Sequence, residues 1–406
     1  MKNRLAVVLS VLLLAGLFHR ATPSGASGDG WRDAPRGAAE ALGVSGDNSA
    51  VPPPSAPRTP NKSVQELWAG DDSLVNSPTP AQRAEMASHN KGLRSAMKGL
   101  ELPAEPPVYR PFADYEPTGY LIMNSKFNFN SAEAKTAAAK TLGPEGVLVL
   151  VFSPYDYGQK ESLVAAYSAV IPRERIKAVS VPDADNAFWA RDAMPVPVFE
   201  KKTGAFAVIN ARYYHNFNSD DRIAALFGAK MESHDYYYEG GNFMANDKGL
   251  CLMVNNKMHS TMPDAVFSRY YGCEKVVRLP HLDGIGHVDE HARFVSADTV
   301  VTDLDEYKAP LAAAGLKVAM MPRVPNTRYS THVNSLIIDG KVAMPAYGKG
   351  TDDQAKAVYE SLGLQVVPAN TYTLSESGQG SIHCITMTYP KVPFKELLKA
   401  LKGTEF

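Results

Sequence analysis

Residues 299–321 read TVVTDLDEYKAPLAAAGLKVAMM, and the order of parts in that stretch decides the fold. Thr299 to Thr302 is a short β-branched run, the composition of a strand. Glu306 to Ala314 reads as a helix, Gly315 supplies the left-handed residue that closes one, and Lys317 to Met321 returns as a strand. The same grammar recurs on both sides. Upstream, Leu250 to Val254 is followed by Pro263 to Tyr271, Gly272, and Lys275 to Leu279. Before that, Ala205 to Asn210 is followed by Asp220 to Phe227, Gly228, and a strand from Lys230. Downstream, Val333 to Ile338 turns at Asp339-Gly340 into Val342 to Pro345, then Asp352 to Leu362, Gly363, and Gln365 to Pro368. Tyr120 to Asn124, Ser131 to Leu142 and Val147 to Phe152 fit a further copy. The capping glycines recur at about 45 residues, the interval of radial or solenoidal repetition.

A unit of strands, one helix and a returning strand, repeated about five times, argues for an α/β ring of modules around an axis. Two doubly wound α/β domains would give the same coarse pattern.

The chain has 406 residues, of which 45% are hydrophobic, ample for a large core. Its 42 basic and 43 acidic residues leave a formal net charge of -1, so neither nucleic acid nor an anionic membrane is an expected partner. Residues 1–24 read as an export signal: Met1 to Arg4 is basic, Leu5 to Phe18 is apolar or small, and Ala21 to Gly28 is rich in small residues. The apolar run is too short to remain as a membrane span, and a secreted or periplasmic mature protein is expected, with no membrane association after processing. Residues 25–61 are Gly, Ala, Ser and Pro with scattered charges and read as a flexible tether. Residues 62–105 form a helical extension, in which Thr79-Pro80-Ala81-Gln82 signals an N-cap, a first-turn proline and a reciprocal Gln. Residues 106–406 hold the main domain. Of three cysteines, Cys251 and Cys273 can pair in an oxidising compartment and leave Cys384 free.

Five polar clusters interrupt the apolar grammar. Gly378-Gln379-Gly380-Ser381-Ile382-His383-Cys384 places a thiol behind two glycines, where a run from Cys384 to Tyr389 reads as a strand with the sulfur at its mouth. A buried, inert cysteine is the competing reading. In Trp189-Ala190-Arg191-Asp192 an aromatic ring and a carboxylate could face one cation, or Trp189 could pack a core while Arg191 pairs with Asp192. Glu239-Gly240-Gly241-Asn242 is either a close backbone approach or an ordinary tight turn. In Gly286-His287-Val288-Asp289-Glu290-His291 an extended backbone puts His287 and Asp289 on one face, the parts for acid-base work. A helix would instead put His287 and His291 one turn apart as metal ligands, which Gly284 and Gly286 argue against. Asn334 interrupts the apolar strand Val333 to Ile338, for a ligand or for a core hydrogen bond.

Six stretches taken together, Arg110 to Pro117, Trp189 to Asp192, Glu239 to Asn242, Gly286 to Asp289, Val333-Asn334 and Ile382 to Thr386, resemble the agmatine deiminase and bacterial peptidylarginine deiminase family. The resemblance implies a five-bladed pseudosymmetric α/β propeller of ββαβ-type modules that hydrolyses a guanidinium group without metal or organic cofactor. It implies Cys384 as nucleophile, His287 as general acid and base, and Asp192 and Asp289 as the carboxylates that grip the guanidinium. Trp189 would line the pocket, Asn334 would help fix the substrate, Gly380 would bring backbone against it, and Glu239 would stand beside the site, buttressing it. A thiolate attacking the central carbon would release ammonia, and water would then free a ureido product from an amidino-cysteine. The expected partner is an arginine-containing peptide or a small guanidino compound, and export favours peptidyl-arginine over agmatine. Against that, the carboxylate-holding arginines of C-terminal-arginine-specific relatives align with His215 and Phe217, with Arg212 the nearby guanidinium. An amidinotransferase and a non-catalytic binding propeller are the alternatives.

Overall fold

The computed structural model describes residues 78–96, 106–181, 184–213, 220–281 and 285–392. The export signal and tether of residues 1–61 lie outside them, as do His215 and Phe217. Within the extension, the helix Pro80–Ala96 opens as its sequence suggests: the Thr79 N–H donates to Gln82 and the Gln82 N–H donates to the Thr79 hydroxyl. The Asn90 side chain then exchanges two hydrogen bonds with the backbone of Tyr237, fastening this helix to a strand edge.

The main domain is α/β and holds five sheets among its described residues, none of them closed on itself. The first sheet orders Tyr109–Pro111, Val196–Glu200, Phe206–Arg212 and Lys230–Tyr237. Three-stranded sheets follow: Met244–Ala245 with Leu250–Val254 and Lys275–Leu279, Ala292–Phe294 with Thr299–Thr302 and Lys317–Met320, and Leu336–Ile338 with Lys341–Ala346 and Gln365–Asn370. The last sheet places Met387–Pro390 beside Thr118–Asn124, Val147–Phe152 and Ile176–Ser180. Each sheet joins an antiparallel pair to a parallel pair, and a parallel neighbour requires a crossover, here helical. The glycines closing four of these crossovers, Gly228, Gly272, Gly315 and Gly363, have φ of 61°, 77°, 93° and 86°, which accounts for the spacing that made the repeat visible.

The apolar core is divided by strand periodicity. Leu148, Leu150 and Phe152 enter one cluster and Val147, Val149 and Val151 another, so the strand is buried on both faces and its sequence shows no polar alternation. Cys251 and Met253 likewise face one cluster, and Leu252 and Val254 the next. Each cluster draws side chains from two successive sheets, and one draws from the last sheet and the first. A disulfide joins Cys251 to Cys273, bridging a central strand to the loop after Gly272. Among the described residues no helix is long and apolar enough to cross a membrane.

Several boundaries move by one or two residues, the segment read as a helix over Pro263 to Tyr271 is a short α-helical turn running into a π-helical one, and two differences near polar residues bear on the site. Cys384 is not in a strand. Residues 382–385 form a turn, in which the Thr386 hydroxyl donates to Ile382 O and its amide donates to His383 O, and the strand starts at Met387. Asn334 does not interrupt a strand either: it precedes Leu336–Ile338, because its side chain holds the backbone at His383 instead of a ladder.

Candidate active site

Loops at strand ends carry the polar clusters to one place. Cys384 is the free cysteine of the described residues, buried at 4% exposure. Its Sγ lies 3.5 Å from Asp289 Oδ2 and accepts from Asn334 Nδ2 at 3.1 Å. Asn334 also donates to the main-chain oxygen of Asp289 and accepts from the His383 amide, so one amide side chain ties together the thiol, the Asp289 backbone and the turn bearing Cys384. Gly380 lies against the same sulfur. A Cβ there would stand 2.6 Å from the Trp189 ring and 3.2 Å from Cys384 Sγ, so only glycine lets this backbone close on both.

Gly241 marks the centre of the second half. A Cβ at this position would fall 2.7 Å from Asp192 Oδ1, 2.7 Å from His287 Nδ1 and 3.3 Å from Asp289 Oδ1. Two carboxylates and an imidazole thus converge on a space kept open by a missing side chain. The Gly241 amide donates to Asp192 Oδ1 at 2.8 Å, fixing that carboxylate from below. His287 has extended backbone, followed by a single tight turn at Val288–Glu290, so Asp289 reaches the site through a turn and not by strand alternation. Glu239, left beside the site by its sequence, bonds His287 Nε2 at 2.9 Å, while Asp192 faces the other ring nitrogen at 3.5 Å. His291 turns away to bond Asp303 at 2.8 Å. Among the described residues no group of His, Cys, Asp and Glu is arranged to hold a metal ion.

The charges of this half are skewed. Burial pushes Asp192 up to about 7, with Glu239 and Asp289 adding to the effect and His287 opposing it. Burial works against the charge of His287, yet Asp192 and Glu239 outweigh it and raise the imidazole to about 10. Burial pushes Cys384 well above the ordinary thiol range, and the carboxylates of Asp289, Asp192 and Glu290 push in the same direction. The resting pair is therefore a thiol and an imidazolium at neutral pH. Asp289 stays below the usual carboxylate range: burial raises it, but the bond from His383 and the charges of His383, His287 and Arg293 prevail. Its Oδ1 is buried with no hydrogen-bond partner. A buried, unpaired carboxylate oxygen costs stability and points to a cation that belongs beside it.

Sequence reasoning missed the layer beneath. His383 Nδ1 bonds Asp289 Oδ2 at 2.6 Å and its Nε2 meets Asp114 Oδ2 at 2.9 Å; Asp114 in turn pairs with Arg293 at 2.9 Å and Arg191 at 3.3 Å. Asp114 and His383 are 269 positions apart, so no spacing links them. Glu290 was also missed; burial first, then Asp289, Asp192 and Asp303, raise it to about 8.

Residues 127–390 match the family of Porphyromonas-type peptidyl-arginine deiminases. The agmatine deiminase of Pseudomonas fluorescens is 24% identical over 334 residues, covering 63% of this chain and 86% of that relative. In fold, the chain is similar to the agmatine deiminase of Enterococcus faecalis, with TM-score 0.56 at 19% identity over 70% of this chain and 96% of the other. It is similar as well to the agmatine deiminase of C. jejuni, with TM-score 0.56 at 16% identity over the same shares.

Proposed function

Because the chain belongs to the Porphyromonas-type peptidyl-arginine deiminase family, whose members are enzymes acting on guanidino groups, we propose that it hydrolyses the guanidinium of a small alkylguanidine of the agmatine type. The observation that carries this reading is the convergence of Asp192, His287 and the unpartnered Asp289 oxygen on the space at Gly241, with Cys384 against the other Asp289 oxygen. A planar guanidinium presents paired N–H donors, so Asp192 and Asp289 hold it by two edges while its carbon faces the sulfur. Its positive charge offsets the carboxylates that suppress thiolate formation, so Cys384 gives up its proton to solvent as substrate binds, His287 being protonated already. The thiolate attacks the carbon, the His287 imidazolium gives its proton to the departing ammonia, and an amidino-cysteine is left. His287, now neutral, takes a proton from water as it attacks, and the ureido product leaves with the thiol restored. Glu239 orients His287, Trp189 walls the pocket beside Gly380, and Asn334 holds the sulfur.

The agmatine-type substrate rests on charge. The space is flanked by Asp192 and Asp289 on either side of His287, Glu239 and Glu290 add two more acids behind them, and Arg191 and Arg293 face Asp114. The one cation there among the described residues is the His287 imidazolium, already engaged by Glu239 and Asp192, so a substrate carboxylate would meet an excess of acids, whereas a second amine would be welcome. The export-type leader favours the second reading, a secreted enzyme converting peptidyl-arginine to citrulline. We also take the five sheets as the blades of a five-bladed pseudosymmetric propeller, with these loops gathered on its axis.

The test incubates the protein with agmatine, free arginine and peptides with internal or terminal arginine, and measures ammonia and ureido product beside Cys384→Ala. Agmatine turnover lost by about 10³-fold or more in the variant is expected. No ammonia from any substrate would defeat the reading, and turnover of peptides alone would select the second one.

A further inference from the structure

Asp289 has one oxygen committed and one open. Oδ2 is held by His383 Nδ1 at 2.6 Å and Oδ1 has no partner, while Asn334 grips only the main-chain oxygen of the same residue. Nothing but His383 and the weaker approach of the thiol at 3.5 Å sets the rotation of that carboxylate. His383 is in turn fixed from behind. Its Nε2 meets Asp114 Oδ2 at 2.9 Å, and Asp114 is fastened by Arg293 at 2.9 Å and by the Thr388 hydroxyl at 3.1 Å. A neutral imidazole donates from one nitrogen only. A ring placed between two carboxylate oxygens therefore carries a second proton or shares one with Asp114. Burial and the two guanidiniums press His383 toward the neutral form and Asp114 presses it back, but the bond to Asp289 needs Nδ1–H in either case.

From this geometry, and resting on the deiminase reading above, we infer that His383 is a positioning residue: it occupies Asp289 Oδ2 so that Oδ1 stays turned to the guanidinium, with Asp114 and Arg293 as its anchor. His383 meets no substrate; it acts through Asp289. The precedent within the chain is the other carboxylate, where the Gly241 amide restrains Asp192 as His383 restrains Asp289.

The test compares two isosteric alkylating agents on the full chain. 2-Chloroacetamidine is a planar cation and 2-chloroacetamide its neutral counterpart; each alkylates a cysteine thiolate at its methylene carbon with loss of chloride. The ratio of their second-order rates at Cys384 reads the grip on a cation, and the neutral reagent corrects for any change in the thiol itself. In His383→Gln the side-chain amide reaches only toward Asp114, and the ratio is expected to fall by about tenfold or more, the loss of a charge-assisted hydrogen bond. In His383→Asn the amide can replace Nδ1 toward Asp289, and the ratio should stay within about threefold of the unmutated protein. Asp114→Asn, one bond further away, should lower the ratio as His383→Gln does but less. A folded His383→Gln protein with an unchanged ratio overturns the inference alone, because a merely structural histidine would change stability and not discrimination. An unmutated protein that shows no preference for the cation overturns both the inference and the deiminase reading.

Discussion

Two groups of buried charge meet at Asp289, and they are built oppositely. Above it, Asp192, Glu239 and Glu290 face the single cation of His287, and an oxygen of Asp289 is left without a partner. Below it, one carboxylate, Asp114, is shared by His383, Arg191 and Arg293. Asp114 lies well below the ordinary range: burial raises it, but Arg191, His383 and Arg293 prevail. Asp192, in the upper group, is raised to about 7. The lower group is neutralised within the fold and supports it; the upper group is left acidic, and a cation completes it. Their difference predicts that mutations of the lower ion pairs will show first in stability and mutations above in turnover, with His383 the one member of the lower group whose effect reaches the substrate, through Asp289.

The sharpest way to break that division is Arg293→Met. It leaves a buried Asp114 with one ion-pair partner fewer and should cost about 3–5 kcal/mol of unfolding free energy in urea titration. Unchanged stability would mean the lower group is not a support, whatever happens to turnover. Next, Gly241→Ala forces a methyl into the space between Asp192, His287 and Asp289, and about 10²-fold of kcat/KM should vanish for a stability cost of only about 1–3 kcal/mol. A third measurement uses pH. Asp192 is neutral below about 7 and grips a cation only when ionised, so kcat/KM should fall about tenfold per pH unit on the acid side of that value. In Asp192→Asn this limb should be missing from the residual activity, and a limb that persists would assign it to another group. Smallest, Thr79→Ala removes the cap of a helix remote from both groups and should cost about 1 kcal/mol with kcat/KM intact.

The repeat was legible because its punctuation is chemical. A left-handed cap demands glycine, so Gly228, Gly272, Gly315 and Gly363 mark helix ends in sequence as they do in space. A strand such as Leu250–Val254 was read correctly because burial on two faces leaves a continuous apolar run. The polar residues around the cavity were legible one at a time, and the family resemblance grouped them. What escaped were structures made by polar side chains competing with the ladder. The Thr386 hydroxyl and the Asn334 amide bond backbone near Cys384, so a β-type sequence became a turn. The His383–Asp114 bond escaped for a different reason. It joins residues of the first and last segments of the domain, and no local pattern registers a contact at that separation.

That separation has a consequence for how the protein comes into being. Met387–Pro390 pairs with Thr118–Asn124, and the turn bearing Cys384 is drawn into place by this last strand. A nascent chain that has already formed its earlier sheets still lacks the sulfur, the histidine beside it and the edge that the final strand covers. Among the described strands this pairing spans the most sequence, and pairings of that kind are intrinsically slow to form. Synthesis and activation are in this way separated in time, and a chain released short of that strand would be inert whatever else it had folded.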